Sequence, residues 1–504
     1  MKKVQVHPEQ VEPSAAPSTS PTVTSTQVDT ARQGRRRASS LSTFLTAITH
    51  NQDKHKRYSV KKFKAFERYL ETAGLWRVIG VILFTPIGAL IAAVMPSMIQ
   101  LQDPNDGILA NPGFLVQLFV VVFSITVGVL VYVQAGANIP KRMCSDRQLL
   151  FIASLSSTLH IAVVICLASA WRFPIPFLWG TGTPLWMVSF NLAHLVVLRG
   201  KLFGPNGLIA AILVYAPGIV IQFSQIFIYV AFSAIFERSK QIQQVAMALL
   251  FPFVKYAMRK LLRKYTKQLG DRSGEISASG IEICATLYQS MIMQAAPSGL
   301  ISGLIMAIDV VQGLFTVKMF MDKNSLVPQD QIIATAFKLI RTNNFLHIAP
   351  AAQVADVHDA LNSPLEKWKP EQQQLLVRHA FELAAMAETI LLMEYFEFSI
   401  PLTNAVFIAT ASQFPSAHFD SKLDVFIEDP SRLPAVLKTV VLYSFLQLLS
   451  FGSMHFVMKS WYNLSALHHI AFTLEYHARS IQGKLIAWLI LVFHFNGTHY
   501  GTYK

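Results

Sequence analysis

A charged side chain inside a bilayer costs at least about 2.5–3.5 kcal/mol, so an ionisable residue within an apolar run is a functional candidate from the outset. In this sequence such residues gather in the second half. Glu282, Asp309 and Lys318 lie in two neighbouring apolar segments, and Glu382, Glu388, Glu394 and Glu397 lie in a third. Before them only Lys255, His160 and His194 interrupt apolar runs. Glu282 and Gln289 share a helical face, as do Asp309 and Gln312. At about 100° per residue, His379, Glu382, Glu394 and Glu397 fall within about 120° of one another, with Glu388 roughly opposite. Such a stripe suits a cation path or a proton relay. The alternatives are structural ion pairs, such as Glu282 or Asp309 with Lys318 or Lys255, and snorkelling of Glu394 and Glu397 to the surface. Catalysis stands third, and no catalytic residue is assigned.

Enzyme signatures are missing. There is no GxxxxGKS/T phosphate loop, no GxSxG elbow and no HExxH zinc helix. His468, His469 and His477 invite a di-iron reading, but such sites need several His-rich boxes on facing helices, so interfacial histidines are the better account and no metal or cofactor is expected. Cys144, Cys166 and Cys284 are far apart and form no CxxC, which excludes a disulfide framework.

Composition supplies the setting. The chain has 504 residues, 52% hydrophobic and 14% charged, against about 25% charged in soluble domains. Mean hydropathy is +0.40. These values exclude a disordered protein, make a soluble enzyme improbable and predict an all-α, polytopic transmembrane helical bundle. The net charge of +14 does not point to nucleic acid, because the bases sit in short stretches flanking apolar spans rather than on one aromatic-interleaved surface. Residues 1–75 hold 13 Lys and Arg against 6 Asp and Glu, half of the net charge. Arg259, Lys260, Arg263, Lys264, Lys267 and Arg272 form a second cluster.

Along the chain, residues 1–53 read as a disordered cytoplasmic tail without a signal peptide. Residues 54–75 follow as a basic amphipathic juxtamembrane helix, with Val60, Phe63, Phe66 and Leu70 on one face. Lys56, Arg57, Lys61, Lys62 and Lys64 are the expected ligands for anionic phospholipid headgroups, at roughly 1 kcal/mol per base. A first bundle of six spans covers 76–258, and 259–275 is a basic cytoplasmic loop. Residues 276–321 form a polar-containing hairpin turned at Pro297, and 322–372 form a cytoplasmic insert with a short helix near 332–340. Residues 373–496 hold the C-terminal membrane helices: a long one to 397, a break at Pro401, a short stretch 402–414, a span 434–458, an interfacial helix 461–480 and a last segment 485–496. The expected total is about ten to twelve membrane helices. Loop charges favour a cytoplasmic N-terminus: the loops 138–148, 199–207 and 259–275 are basic, and 99–112 carries Asp103 and Asp106 with no base. The mildly basic 237–244 is the exception.

Smaller features complete the reading. Arg35, Arg36 and Arg37 precede Ser39, a phosphorylation candidate for a basophilic kinase. Asn463 and Asn496 fit the glycosylation pattern wherever they face a lumen. Gly299 and Gly303, followed by Ala307, form a small-residue run suited to close helix approach, within the chain or with a second copy.

Several stretches are similar to an expanded oomycete family of multi-pass membrane proteins. They are ERYLETAGLWR (67–77), LFTPIGAL (83–90), LQDPNDG (101–107), WRFPIPF (171–177), EICATLYQSMIMQ (282–294), MEYFEFSIP (393–401), LSALHHIAFTLE (464–475) and HYGTY (499–503). They run in order from residue 67 to the end of the chain. The resemblance implies the architecture and no activity, so it carries over no site residue.

The leading expectation is a transporter- or channel-like protein for a small solute or ion, using the acidic second half. The alternative is a non-transporting scaffold or lipid-interacting protein, and a membrane enzyme is third.

Overall fold

The computed structural model describes residues 58–176, 178–203, 207–295, 299–323, 331–342, 370–420 and 422–494. Lys56, Arg57, Ser39, Pro297 and Asn496 lie outside these residues, as do most of the 322–372 insert and the tail.

The hydroxyl of Ser59 accepts the amide of Lys62 (3.2 Å) and opens α1 (Val60–Thr72). A first span follows as α2 (Leu75–Phe84) and α3 (Ile87–Ser97), parted at Pro86, which has no amide to donate. Then come α4 (Pro112–Gly136), α5 (Asp146–Ala170), α6 (Leu178–Leu198) and α7 (Leu208–Arg238). Proline occupies the first turn of α4, and Ser145 with Gln148 builds a capping box at α5. α8 (Gln241–Thr266) ends in a 3-10 stretch, Lys267–Arg272, and leads into α9 (Ser273–Ala295) and α10 (Gly299–Lys323). Later come α11 (Ile332–Thr342), α12 (Pro370–Ala411), the short α13 (Asp424–Glu428), α14 (Arg432–Tyr462), α15 (Ala466–Tyr476) and α16 (Ala478–Phe493).

Among the described residues the fold is all helical, and seven helices are long and apolar enough to cross a membrane: α2 with α3, α4, α5, α6, α7, α10 and α14. This fits a multi-pass membrane protein. Trp76, Phe84, Phe227, Phe253 and Phe456 project from the outer surface, where lipid would cover them. α9 and α12 run through the centre, buried on every side over most of their length, and α16 packs against both α4 and α9. These inner helices, with α8, mix ionic and polar residues into their apolar sequence, so fewer helices have the apolarity of a span than the about ten to twelve expected.

The contacts sort the loops into two ends. Lys62 of α1 donates to the carbonyl of Asp271 (3.2 Å), Gln268 to that of Val214 (2.9 Å) and Lys201 to that of Arg142 (3.1 Å). Arg479 pairs with Asp146 at 2.7 Å, and Asp146 with Lys141 at 2.7 Å. The juxtamembrane helix and the three basic connections therefore share one end of the bundle. The 99–112 side lies at the opposite end, where His494 reaches the carbonyl of Ala93 (2.8 Å), Trp179 donates to that of His494 (3.1 Å) and Ser416 to that of Ser97.

Several expectations change. α8 runs on to Thr266, so Arg259, Lys260, Arg263 and Lys264 stand on a helix and the loop shrinks to Lys267–Arg272. α12 passes straight through Pro401, so 402–414 is no separate segment. The hydroxyl of Ser444 donates to the carbonyl of Phe398 (2.7 Å), three residues before the proline, where the ring loosens the backbone ladder. The supposed interfacial helix 461–480 is interior: α14 ends on Asn463 at φ 49, and α15 with His469 and His477 is buried. The apolar face of α1 is turned onto the protein. Phe63 and Phe66 pack on Phe381, Phe337 and Phe472, and Lys62 is fully buried while Lys61 and Lys64 stay exposed.

α4 and α16 meet at a close glycine crossing. A Cβ on Gly483 would meet the carbonyl of Gly128 at 2.7 Å and the amide of Tyr132 at 2.7 Å, both backbone atoms of α4. By contrast nothing lies within 4 Å of a Cβ on Gly303, so the Gly299–Gly303 run does not pack inside the chain. Gly483→Ala should therefore lower stability by about 1–3 kcal/mol through forced separation of α4 and α16. Gly303→Ala should be neutral or slightly stabilising. Thermal unfolding of both variants in one detergent decides it, and equal midpoints would remove the crossing as a constraint.

Candidate functional site

Among the described residues three ionic clusters lie in the interior, and each is built on α9 or α12. The first holds α1 in place. Lys62 Nζ sits 2.7 Å from Glu388 Oε2 and 3.0 Å from His477 Nε2. The rings of Tyr58 and Tyr476 lie 4.8 and 5.3 Å from the same ammonium, a cation–π arrangement. Burial, with the nearby charge of Glu388, pushes the Tyr58 hydroxyl well above its ordinary range, so that ring stays neutral. The second cluster ties α9 to α16. Lys484 Nζ contacts Glu275 Oε1 (2.8 Å) and Ser279 Oγ (2.7 Å), and Ser480 donates to Glu275 Oε2 (3.2 Å).

The third cluster is the largest. Lys255 of α8 lies 2.7 Å from Glu282 of α9 and 2.5 Å from Glu397 of α12, and Arg259 pairs with the other oxygen of Glu282. On α10, Asp309 Oδ2 accepts from Tyr443 (2.7 Å) and Gln447 (3.4 Å) of α14 and from Gln289 of α9. Ser450 of α14 donates to Glu394 Oε2 (2.8 Å). Asp309 and Glu394 both lie within electrostatic reach of Glu397 and Lys255. Five helices thus meet around four carboxylates and two bases. Helical spacing explains the convergence: Glu282 and Gln289 stand two turns apart on α9, and Glu394 and Glu397 one turn apart on α12.

No protein-family model, curated protein or solved structure matches this chain.

The expected site residues divide accordingly. Glu282 and Asp309 are both buried in the polar interior as expected, Glu282 on Lys255 and Arg259 and Asp309 on Gln289, Tyr443 and Gln447, and neither faces lipid. Gln289 takes its expected part, whereas Gln312 does not touch Asp309. Glu394 joins the cluster, but the stripe on α12 does not act as one face. Glu382 is exposed and pairs with Arg378 one turn away at 3.3 Å, because the start of α12 stands clear of the bundle on that side. Glu388 serves the first cluster instead. Lys318 is exposed near the end of α10 and pairs with none of the buried acids. Lys62, expected at lipid headgroups, is the counter-charge of Glu388. Among the described residues no group of three His, Cys, Asp or Glu could hold a metal ion.

Glu275 and Lys484 escaped the sequence reading, and Arg259 entered it only as a base of the 259–275 loop, since each lies near a segment edge and looks solvated. The available signals were Ser480 and Lys484 one turn apart, and Glu275, Ser279 and Glu282 at spacings that keep one helical face.

Breaking a buried pair leaves an uncompensated charge, whereas replacing both partners removes the problem. Lys62→Met alone should destabilise the protein by about 3–5 kcal/mol, and Lys62→Met with Glu388→Leu should recover most of that. Thermal unfolding of the purified variants measures it. A single variant as stable as the parent would mean that Lys62 does not anchor α1.

Proposed function

We propose that this protein is a proton-coupled membrane transporter for a small solute, with the Lys255 cluster as its coupling site. The observation that carries this reading is an imbalance of charge. Glu282, Asp309, Glu394 and Glu397 outnumber Lys255 and Arg259, and all but Arg259 are at least nine-tenths buried. Among the described residues the two remaining carboxylates, Asp309 and Glu394, meet only neutral donors. A low-dielectric interior does not tolerate two uncompensated negative charges, so bound protons complete the site. A group of acids that takes up and releases protons within a membrane is the working part of a coupled carrier. Membership of the oomycete family belongs to the same proposal and adds no activity to it.

The second reading is a scaffold or lipid-interacting protein. It is favoured by the other two clusters, where Glu388 with Lys62 and Glu275 with Lys484 are closed, charge-matched pairs. The basic end is taken as cytoplasmic, with the N-terminus, since Lys and Arg collect on that side of membranes. The exposed Lys61 and Lys64 then face anionic headgroups there.

Two measurements test these statements. In proteoliposomes holding a pH-sensitive dye, the parent should conduct protons down an imposed gradient when supplied with a transported solute. Asp309→Asn with Glu394→Gln should remain folded, with an unchanged or raised thermal midpoint, and lose that flux. Flux that survives the double change, or a parent inert across a broad solute panel, leaves the scaffold reading in place. For orientation, Lys61→Cys and Lys264→Cys should both label from the cytoplasmic side of sealed vesicles. Labelling of either from the lumen reverses the assignment.

A further inference from the structure

Beside the Lys255 cluster lies a small cavity lined by Phe236, Phe251, Ile292 and Ile305, with Gln289 and Asp309 as its polar groups. It has room for a water-sized occupant but not for an organic solute. Asp309 is 8% exposed, and all three of its hydrogen bonds fall on Oδ2. Its other oxygen accepts none among the described residues and belongs to a side chain that lines the cavity.

The position of the cavity along the bundle is informative. Phe236 is two residues from the end of α7, Ile292 three from the end of α9, and Ile305 six from the start of α10. All three of those helix ends lie opposite the basic loops. Glu282 and Arg259 sit on the other side of Lys255, towards the basic end, where Arg259 is partly exposed. The carboxylates therefore occupy a layer with the cavity on one side and Arg259 on the other.

We infer that this cavity is the aqueous entry to Asp309, open only towards the end opposite the basic loops. Its ligand is water and, through water, the proton: a hydronium ion hands a proton to Asp309 Oδ1 and leaves a water molecule behind in the cavity. Such a water has the polar partners it needs in Asp309 and Gln289, while the phenylalanine and isoleucine walls keep larger solutes out. This rests on the proton-coupling reading for its purpose, though aqueous access is measurable without any transport.

Silver ion is a thiol probe small enough for this space. In a background of Cys144→Ala, Cys166→Ser and Cys284→Ala, Ala248→Cys and Ile305→Cys each place a thiol on the cavity wall. In sealed proteoliposomes of known orientation, silver added on the side of the 99–112 loop and then washed away should block maleimide labelling of both thiols once the protein is unfolded in denaturing detergent. Silver added on the basic side should not. Lys61→Cys, on the exposed face of α1, should show the reverse pattern and report the sidedness. Two cavity positions are used so that one misfolded variant, seen in its thermal midpoint, leaves the other to decide. Blocking from the basic side, from both sides alike, or from neither would overturn the inference. Access without proton flux would reject the transport reading alone, and flux without access would reject this entry route alone.

Discussion

The constraint on which the rest of the architecture depends is the burial of acid on two central helices. α9 and α12 carry Glu275, Glu282, Glu388, Glu394 and Glu397 where each is at least nine-tenths buried. An uncompensated charge in such a place costs several kcal/mol, more than any single apolar contact supplies. The compensating bases come from other helices: Lys62 from α1, Lys255 and Arg259 from α8, and Lys484 from α16. Apolar packing in a membrane is poorly selective, because lipid tails and leucine side chains are alike to a helix. The ion pairs provide the selectivity, since a single neighbouring helix places its lysine beside each of Glu275, Glu282, Glu388 and Glu397. They account for a basic helix docked on the end of the bundle and for α16 held against α9.

Much of this architecture was legible in the sequence, and the exceptions share a cause. Long apolar runs announced α4, α5, α7, α10 and α14 because lipid and protein impose the same demand on them. Basic connections predicted which loops share an end, and the contacts of Lys62, Lys201 and Arg479 bring those loops together. What a run of letters does not carry is what lies against each face. The apolar stripe of α1 would serve equally on a membrane surface or on Phe337, Phe381 and Phe472, so Lys62 read as a lipid ligand. Pro401 read as a break because Ser444, which supports the backbone beside it, is remote in sequence.

The acidic residues show the same division. Seven-residue spacing correctly put Glu282 and Gln289 on one face, and depth within an apolar segment correctly kept Asp309 from lipid. A face computed around α12 then grouped Glu382 with Glu394 and Glu397 and failed, because it treated the helix as if its whole length had one surrounding. Along its 42 residues the helix starts with an exposed Arg378–Glu382 pair, passes Lys62 at Glu388 and meets α8 and α14 at its middle. Angle is legible in sequence, while surroundings change with height, and on a helix this long height matters more.

Height also separates the three clusters in kind. The two nearer the basic end are matched pairs, and each base there has one carboxylate to serve, so neither gains from rearrangement. Lys255 is different, because it stands between carboxylates on two helices, Glu282 of α9 and Glu397 of α12. A proton bound to either one removes half of what holds the ammonium in the middle and favours its shift towards the other. Packed helices do not follow such a shift continuously; they exchange one close-packed arrangement for another. On the coupling reading, then, a proton on Glu282 or Glu397 biases the relation of α8 to α9 and α12, and the matched pairs, which tie α1 to α12 and α16 to α9, supply the fixed frame against which α8 can move.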